Sequence, residues 1–468
     1  MDFWKLANSD DALAVIEASS GKSYSYGQLR GDVTRIKNAL PELDRKSLGL
    51  VFSSNRYNCL AAYLAALNAN CAVVLLDSAL NEKLLLEFVQ LYQPDWIFSE
   101  EPSVNLTGYS PSAEPGLLKS EDPKPIQIHP DLTLLLTTSG STGSPKLVRL
   151  KLRNLEANAA SIAQYLELTP GERAITSLPM AYSYGLSVIN SHLQVGASIV
   201  LTDDGILQRG FWDAIDQFGC TSFAGVPYSY QMLLQLGLLT KRGATLKTLT
   251  QAGGRLEERY IRQMYDLAQT RGWKFFVMYG QTEATARISY VPFAHLGEKI
   301  GSVGVAIPNG TLLVDDVTGE LVYRGPNVMM GYAESRADLA KGDELHGELR
   351  TGDLARKDDD GYFYITGRLK RFLKMFGKRF NLDDIERLLS RRFDVSVACH
   401  GRDDLLMVAV EHGSYIGPIQ ATICETFELP RHAVEVRAIK ELPRTPNGKL
   451  DYARLANSGK PQEVAAAG

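Results

Sequence analysis

A chain of 468 residues is longer than the roughly 250–300 residues at which a single hydrophobic core stops growing, so two or three folding units are expected. Hydrophobic residues make up 45% and charged residues 22%, the make-up of a globular protein, which excludes disorder over most of the length. With 50 Lys and Arg against 54 Asp and Glu the net charge is −4, which excludes bulk attraction to nucleic acid or to an anionic lipid surface.

No apolar run approaches the roughly 20 residues that cross a bilayer. The opening stretch MDFWKLAN has neither a basic lead with an apolar core nor a small-residue cleavage site. No membrane span and a cytoplasmic location are therefore expected. Cys59, Cys71, Cys220, Cys399 and Cys424 are odd in number, scattered and without paired metal-ligand spacing, and they read as reduced structural thiols.

Along the chain, Leu48–Ser53 and residues 72–76 read as buried strands with Tyr57–Asn68 as the helix between them, which predicts a parallel sheet with crossover helices. Residues 103–125, rich in Pro, Ser and Gly, predict a loop. A second α/β region is expected from residue 132. Apolar runs at 132–136, 174–178, 198–201, 222–225, 248–252 and 275–278 alternate there with helical segments at 158–168 and 257–269. From residue 301 short strands and Gly-containing turns (310–314, 320–323, 361–366) predict antiparallel β structure in a distorted barrel. After Arg368 a smaller unit of about 100 residues is expected, with a helix at 383–391 and strands at 395–400 and 405–411. The last residues, 457–468, read as a frayed end.

Residues 137–146 read TTSGSTGSPK between two strand-like runs. Gly140 and Gly143 let such a loop fold back on itself. Amides and hydroxyls from Thr138, Ser139, Ser141 and Thr142 can then converge on phosphate oxygens, with Lys146 as the cation. The loop is not a Walker A motif, because Pro145 precedes the lysine and Leu147 follows it where Ser or Thr is required. A flexible Ser/Gly turn is the bland alternative.

The order of residues in this loop closely resembles the phosphate loop of the adenylating superfamily of acyl-CoA synthetases, nonribosomal-peptide adenylation domains and beetle luciferases. Further motifs follow in the family's order, so that the resemblance covers roughly residues 130–450. LPMAYSYGL at 178–186 resembles the stretch that closes the acyl pocket, with Tyr182 between phosphates and acid. AGGRL at 252–256 resembles the adenine-binding turn, assigning Gly253, Gly254 and Arg255 to the nucleotide. In YGQTE at 279–283 the resemblance implies that Tyr279 stacks on adenine beside Gly280, Thr282 bonds the α-phosphate and Glu283 holds Mg2+. RTGD at 350–353 supplies Asp353 for the ribose hydroxyls, and YFYITGR at 362–368 supplies Tyr364 and Arg368. PRTPNGKL at 443–450 makes Lys449 the catalytic lysine, presented by an Asn-Gly turn.

By the same resemblance the fold is α/β. A large N-terminal domain over 1–369 holds two α/β subdomains and the distorted β-barrel, and a small mobile α+β lid domain over 370–468 hinges at Lys370. The loop at Gly377 admits the acceptor thiol, although the run Phe380-Asn381-Leu382-Asp383 departs from the commoner family pattern there. The implied reaction uses ATP and Mg2+ to join a carboxylate to AMP with release of pyrophosphate. The acyl group then passes to a thiol, either CoA or the phosphopantetheine of a carrier protein, with amide synthesis and a non-catalytic nucleotide binder as alternatives. Ser183 stands where amino-acid-activating members carry Asp, so a fatty or aryl acid is expected rather than an α-amino acid. Gly185, Val226, Ala252, Met278 and Ala286 complete the expected acyl pocket with Ser183. Arg287, near this wall, reads as one half of a structural salt bridge, with a second anionic group as the alternative. The oligomeric state is not legible.

Overall fold

The computed structural model describes residues 2–80, 82–100, 106–137, 146–369, 371–376, 378–445 and 448–457. The chain divides into two compact units: Met1–Leu312 with Tyr323–Leu349, and Leu313–Val322 with Arg350–Gly468.

The first unit is a mixed α/β structure built on two large sheets. In the nine-stranded sheet, Lys274–Tyr279, Thr248–Gln251, Ser222–Gly225, Arg173–Ile175, Ser198–Leu201 and Leu13–Glu17 run parallel in that spatial order. Ser23–Ser25 closes one edge, and Ser289–Tyr290 with Val305–Ala306 closes the other, all antiparallel. The eight-stranded sheet has a parallel centre of Leu132–Thr137, Ala72–Asp77, Leu48–Ser53 and Trp96–Phe98. Leu147–Lys151 and Gly331–Ala333 extend it on one side, Leu117–Ser120 and Tyr109–Pro111 on the other.

Two sequence expectations need correction. The loop at 103–125 contains the edge strands Tyr109–Pro111 and Leu117–Ser120, because Leu117 buries fully while Pro111 sits at the edge, where no ladder N–H is missed. The two α/β regions do not follow chain order either. Leu13–Glu17 pairs with Ser198–Leu201, and Leu132–Thr137 pairs with Ala72–Asp77, since pairing follows position in space rather than in sequence. The antiparallel β structure expected from residue 301 includes a four-stranded sheet in the order Thr311–Val314, Glu320–Arg324, Glu348–Lys357, Phe363–Arg368.

The helix Tyr57–Asn68 shows why the two large sheets share a core. It is apolar on every face, so it must be covered on every side. Its Leu60, Leu64 and Leu67 belong to one continuous cluster with Ile199 and Leu201 of the nine-stranded sheet and Val51, Val73 and Leu75 of the eight-stranded sheet. Alternation along the same strands sends Leu50, Phe52, Val74 and Leu76 to a second core against the helix Glu82–Tyr92. Four of the five cysteines are buried and none is in a disulfide; burial pushes the Cys59 thiol up to about 11 and that of Cys220 up to about 12.

The second unit also holds the three-stranded sheet Val397–Arg402, Leu405–Val410, Val434–Ala438, covered by the helices Leu382–Phe393 and Ile416–Phe427. Asn381 caps the first of these helices, with Asp383 and Asp384 in its first turn and Arg391 and Arg392 in its last, each sign matching the helix dipole. Among the described residues no helix is long and apolar enough to cross a membrane.

Leu64, fully buried at the centre of the shared core, sets the first test. Leu64→Ala is expected to lower the unfolding free energy by about 2–5 kcal/mol in urea denaturation, through lost burial and the cavity left behind.

Candidate active site

Four neighbouring parallel strands, Arg173–Ile175, Ser222–Gly225, Thr248–Gln251 and Lys274–Tyr279, end side by side. The connections leaving their carboxyl ends converge, which is where open α/β sheets gather ligands. Those connections carry Tyr182 and Ser183, Val226, Ala252 to Arg255, and Gly280 to Glu283.

The first connection is pinned by Asn55, whose buried side chain donates to the carbonyls of Leu178 (3.2 Å) and Thr202 (3.1 Å) and accepts from Met180 N (3.1 Å). This fixes Tyr182 as the extended residue before the helix Ser183–Gln194, with Gly185 buried in its first turn. At Gly253, where φ is +85°, an added Cβ would meet the Tyr182 hydroxyl at 2.7 Å and Val226 Cγ1 at 3.2 Å. Gln251 holds the same turn through the Gly254 carbonyl (2.9 Å). Arg255 is half exposed and pairs with Glu258 at 3.6 Å. Burial pushes the Tyr182 phenol up to about 12, with Arg287 acting in the opposite sense, so the ring is neutral at physiological pH.

The turn after Lys274–Tyr279 is tight. A Cβ on Gly280 would fall 1.8 Å from the Ala286 carbonyl oxygen, so only glycine fits. The segment then makes a short 3-10 turn, Thr282–Ala284. Two expected site residues meet here: Ser183 Oγ and Thr282 Oγ1 are 3.1 Å apart. Buried Asn327 holds the far end of the turn, donating to the carbonyls of Ala284 and Arg287 (2.8 Å each) and accepting from the Tyr323 hydroxyl at 2.7 Å. Thr285, with φ at +64°, donates its hydroxyl to the Asn327 carbonyl (2.6 Å). Ala252, Met278 and Ala286 are buried, and the Tyr165 hydroxyl points at Met278 Sδ (3.0 Å).

Glu283 accepts a hydrogen bond from the Tyr332 hydroxyl at 2.8 Å, and Lys146 Nζ lies 3.7 Å from the centre of the same ring. Lys146 also pairs with Glu334 at 3.3 Å. Tyr332 thus joins the cation that follows the phosphate-type loop to the expected metal carboxylate. Burial and the Glu283 carboxylate hold its phenol well above the usual range, which keeps the donating proton in place. Its strand is fixed by fully buried Arg149, which donates to the Tyr332 and Gly342 carbonyls (3.0 and 3.3 Å) and pairs with Glu344. Thr138, Ser139, Gly140, Ser141, Thr142 and Gly143 lie outside the described residues.

Arg287 departs from expectation. It is 2% exposed, and among the described residues no carboxylate pairs with it. Its guanidinium lies 3.9 Å from the centre of the Tyr184 ring, and its Nε and Nη1 lack hydrogen-bond partners. The structural salt bridge is not made because the neighbouring buried groups are phenols and amides.

In the second unit Asp353 and Arg368 are register partners, with Arg368 Nε donating to Asp353 Oδ1 at 3.1 Å. Tyr364 lies further along this hairpin, opposite Arg356, whose guanidinium covers its ring at 4.1 Å, and bonds Asp358 at 3.3 Å. Arg350 braces the strand through Glu320 (2.7 Å) and Asp315 (2.8 Å). Half-buried Lys449 closes a turn in which its carbonyl accepts from Thr445 N at 2.7 Å and its own N–H reaches Thr445 Oγ1 at 3.2 Å. Lys370 and Gly377 lie outside the described residues. Asn55, Asn327 and Tyr332 were not singled out from sequence, because each acts on a segment remote from its own; Gln251, also not singled out, acts on Gly254 within its own turn.

Comparison with known proteins identifies the family. Residues 3–333 match the family described as AMP-binding enzyme. The indoleacetate–CoA ligase of Aromatoleum aromaticum is 31% identical over 357 residues, 70% of this chain and 68% of that protein. The L-proline–[L-prolyl-carrier protein] ligase of Pseudomonas fluorescens is 28% identical over 71% of this chain and 70% of its own. Among solved structures, O-succinylbenzoate coenzyme A synthetase (MenE) from Bacillus subtilis, in complex with ATP and magnesium ion, superposes with a TM-score of 0.75. It is 20% identical and covers 96% of this chain and 98% of its own, a likeness of fold.

Asn327 is the residue on which the turn depends. Asn327→Ala strips partners from two buried carbonyls and a hydroxyl, and is expected to cost about 1–3 kcal/mol of stability. Amide hydrogen exchange of residues 282–287 should rise while exchange in the helix Tyr57–Asn68 stays unchanged.

Proposed function

The chain belongs to the AMP-binding enzyme family, and on that premise we propose that it is an ATP-dependent ligase that activates a carboxylic acid as acyl-AMP and passes the acyl group to CoA. The observation that carries this reading is the convergence at adjoining strand ends: Ser183 on Thr282, and Lys146, Tyr332 and Glu283 in a contiguous set. Acid-facing and phosphate-facing groups therefore share one neighbourhood.

A carboxylate resists attack because its displacement would expel oxide; joining it to AMP creates a leaving group. The substrate carboxylate attacks the α-phosphorus of ATP and pyrophosphate departs. The nucleophile is already ionised, so no general base is required, and the work is positioning and charge stabilisation. Thr282 donates to the α-phosphate, Lys146 and the 138–143 loop bind the outer phosphates, and Tyr279, Gly253 and Gly254 receive the adenine. Asp353 holds the ribose hydroxyls and Arg368 holds Asp353. Lys449 grips the oxygens that gain charge, and Tyr182 separates phosphates from the acid.

Glu283 fits a magnesium ion: its one oxygen is fixed by Tyr332, and Mg2+ commonly takes one or two carboxylates with substrate phosphates. When bound, the ion neutralises phosphate charge so that an anionic acid can approach.

In the second half-reaction a thiol attacks the acyl carbonyl and AMP leaves, with rotation at Lys370 replacing Lys449 by the Gly377 loop. A carrier-protein phosphopantetheine is the second reading of the acceptor, favoured by the carrier-protein ligase among the relatives.

Carboxylate-dependent ATP–pyrophosphate exchange with a panel of acids tests the proposal, and chelation of Mg2+ should abolish it. Lys449→Ala is expected to lower exchange by about 100-fold or more while sparing thioester formation from preformed acyl-AMP. Equal loss of both activities refutes that division of labour. Supplying CoA and carrier proteins in parallel then identifies the acceptor.

A further inference from the structure

Two arginines in the first unit are buried almost completely, and they are treated in opposite ways. Arg149 has carbonyls and the Glu344 carboxylate around its guanidinium. Arg287 has a ring beneath it and two nitrogens, Nε and Nη1, with nothing to donate to. A buried cation without a counter-charge is costly, and contact with an aromatic face offsets only part of that cost. Such a group persists where a ligand supplies the missing acceptor.

The position of Arg287 says which ligand. Its Cα packs against Gly280 of the Thr282 turn, as shown by the 2.9 Å approach of an added Gly280 Cβ. Its guanidinium lies under Tyr184, which meets Tyr182 edge-on with ring centres 6.2 Å apart, and the Tyr165 hydroxyl is a further polar neighbour. It therefore sits behind the wall formed by Tyr182, Ser183 and Met278. A small enclosed cavity begins at Ser183, where Leu155, Ala159 and Leu186 line it together with Asn158, Ser187, Asn190 and Thr285. Asn158 donates to the Arg287 carbonyl at 3.3 Å, and its own Oδ1 is a further buried polar atom without a partner.

We infer that the acid activated by this enzyme carries a second anionic group, a carboxylate or sulfonate remote from the reacting carboxylate, and that Arg287 is the residue that binds it. The inference rests on the adenylation reading above and names the class of acid.

The test compares acids that differ only in a terminal methyl, hydrogen or anion: propanoate with malonate and with sulfoacetate, butanoate with succinate, and phenylacetate with 4-carboxyphenylacetate. In pyrophosphate exchange the wild type should favour the anionic member of at least one pair, with kcat/KM on the order of 100-fold higher. Arg287→Met should erase that preference by losing the anionic acid while keeping or gaining the neutral one. Arg287→Lys should retain part of it. Because removing an uncompensated buried charge relieves a cost, Arg287→Met should also melt no lower than the wild type in the absence of acid. Exchange that favours the neutral acid in every pair overturns the inference and leaves adenylation standing. So does an equal loss of both members in Arg287→Met, or a fall in its melting temperature. If no acid supports exchange, the adenylation reading fails instead. Calorimetric titration of succinate into wild type and Arg287→Met then decides the anion site by itself, binding lost in the variant supporting it and equal binding or none overturning it.

Discussion

A connection that turns inside a protein carries N–H and C=O groups that water cannot reach, and each must find a partner. That requirement shapes the strand ends of this molecule. Asn55 serves the 178–180 segment, Gln251 the turn at Gly254, and Asn327 the turn at 284–287, each through a side-chain amide that both donates and accepts or reaches across a tight bend. An amide does this without charge, so it can be buried without a counter-ion. With backbone demands met from behind, the hydroxyls of Ser183 and Thr282 and the Glu283 carboxylate are placed without themselves being spent on folding.

The electrostatics follow from the same economy of burial. Tyr182, Tyr184 and Tyr332 are phenols held in their neutral form by desolvation. Tyr332 is then a permanent donor to Glu283, and its ring face is a weakly negative seat for the Lys146 ammonium. One side chain thereby orients an anion and a cation that would otherwise be free to pair with each other.

Local signals in the sequence were read well where a single segment decides the outcome. Leu48–Ser53 and Tyr57–Asn68 have the bounds that their apolar runs indicate, because apolar character on every face leaves no alternative to full burial. The motifs likewise put Tyr182, Ser183, Thr282 and Glu283 at strand ends, where the structure has them. Whatever depends on distant partners was not legible. Tyr332 meets Glu283 across 49 residues and Asn55 meets Met180 across 125, and neither spacing leaves a trace in local pattern. The sheet to which Leu13–Glu17 belongs is also decided by a partner far along the chain. The expected salt bridge of Arg287 failed for the same reason, since an arginine's identity says nothing of whether an acid shares its burial.

The second compact unit is not one continuous stretch: Leu313–Val322 belongs to it, while Tyr323–Leu349 returns to the first. The polypeptide therefore passes between the units three times. A single genetic crossover near residue 370 cannot transplant the second unit whole, because the strand Glu320–Arg324 would stay behind with its neighbour Glu348–Lys357. Recombination that exchanges intact units must cut and rejoin at three places.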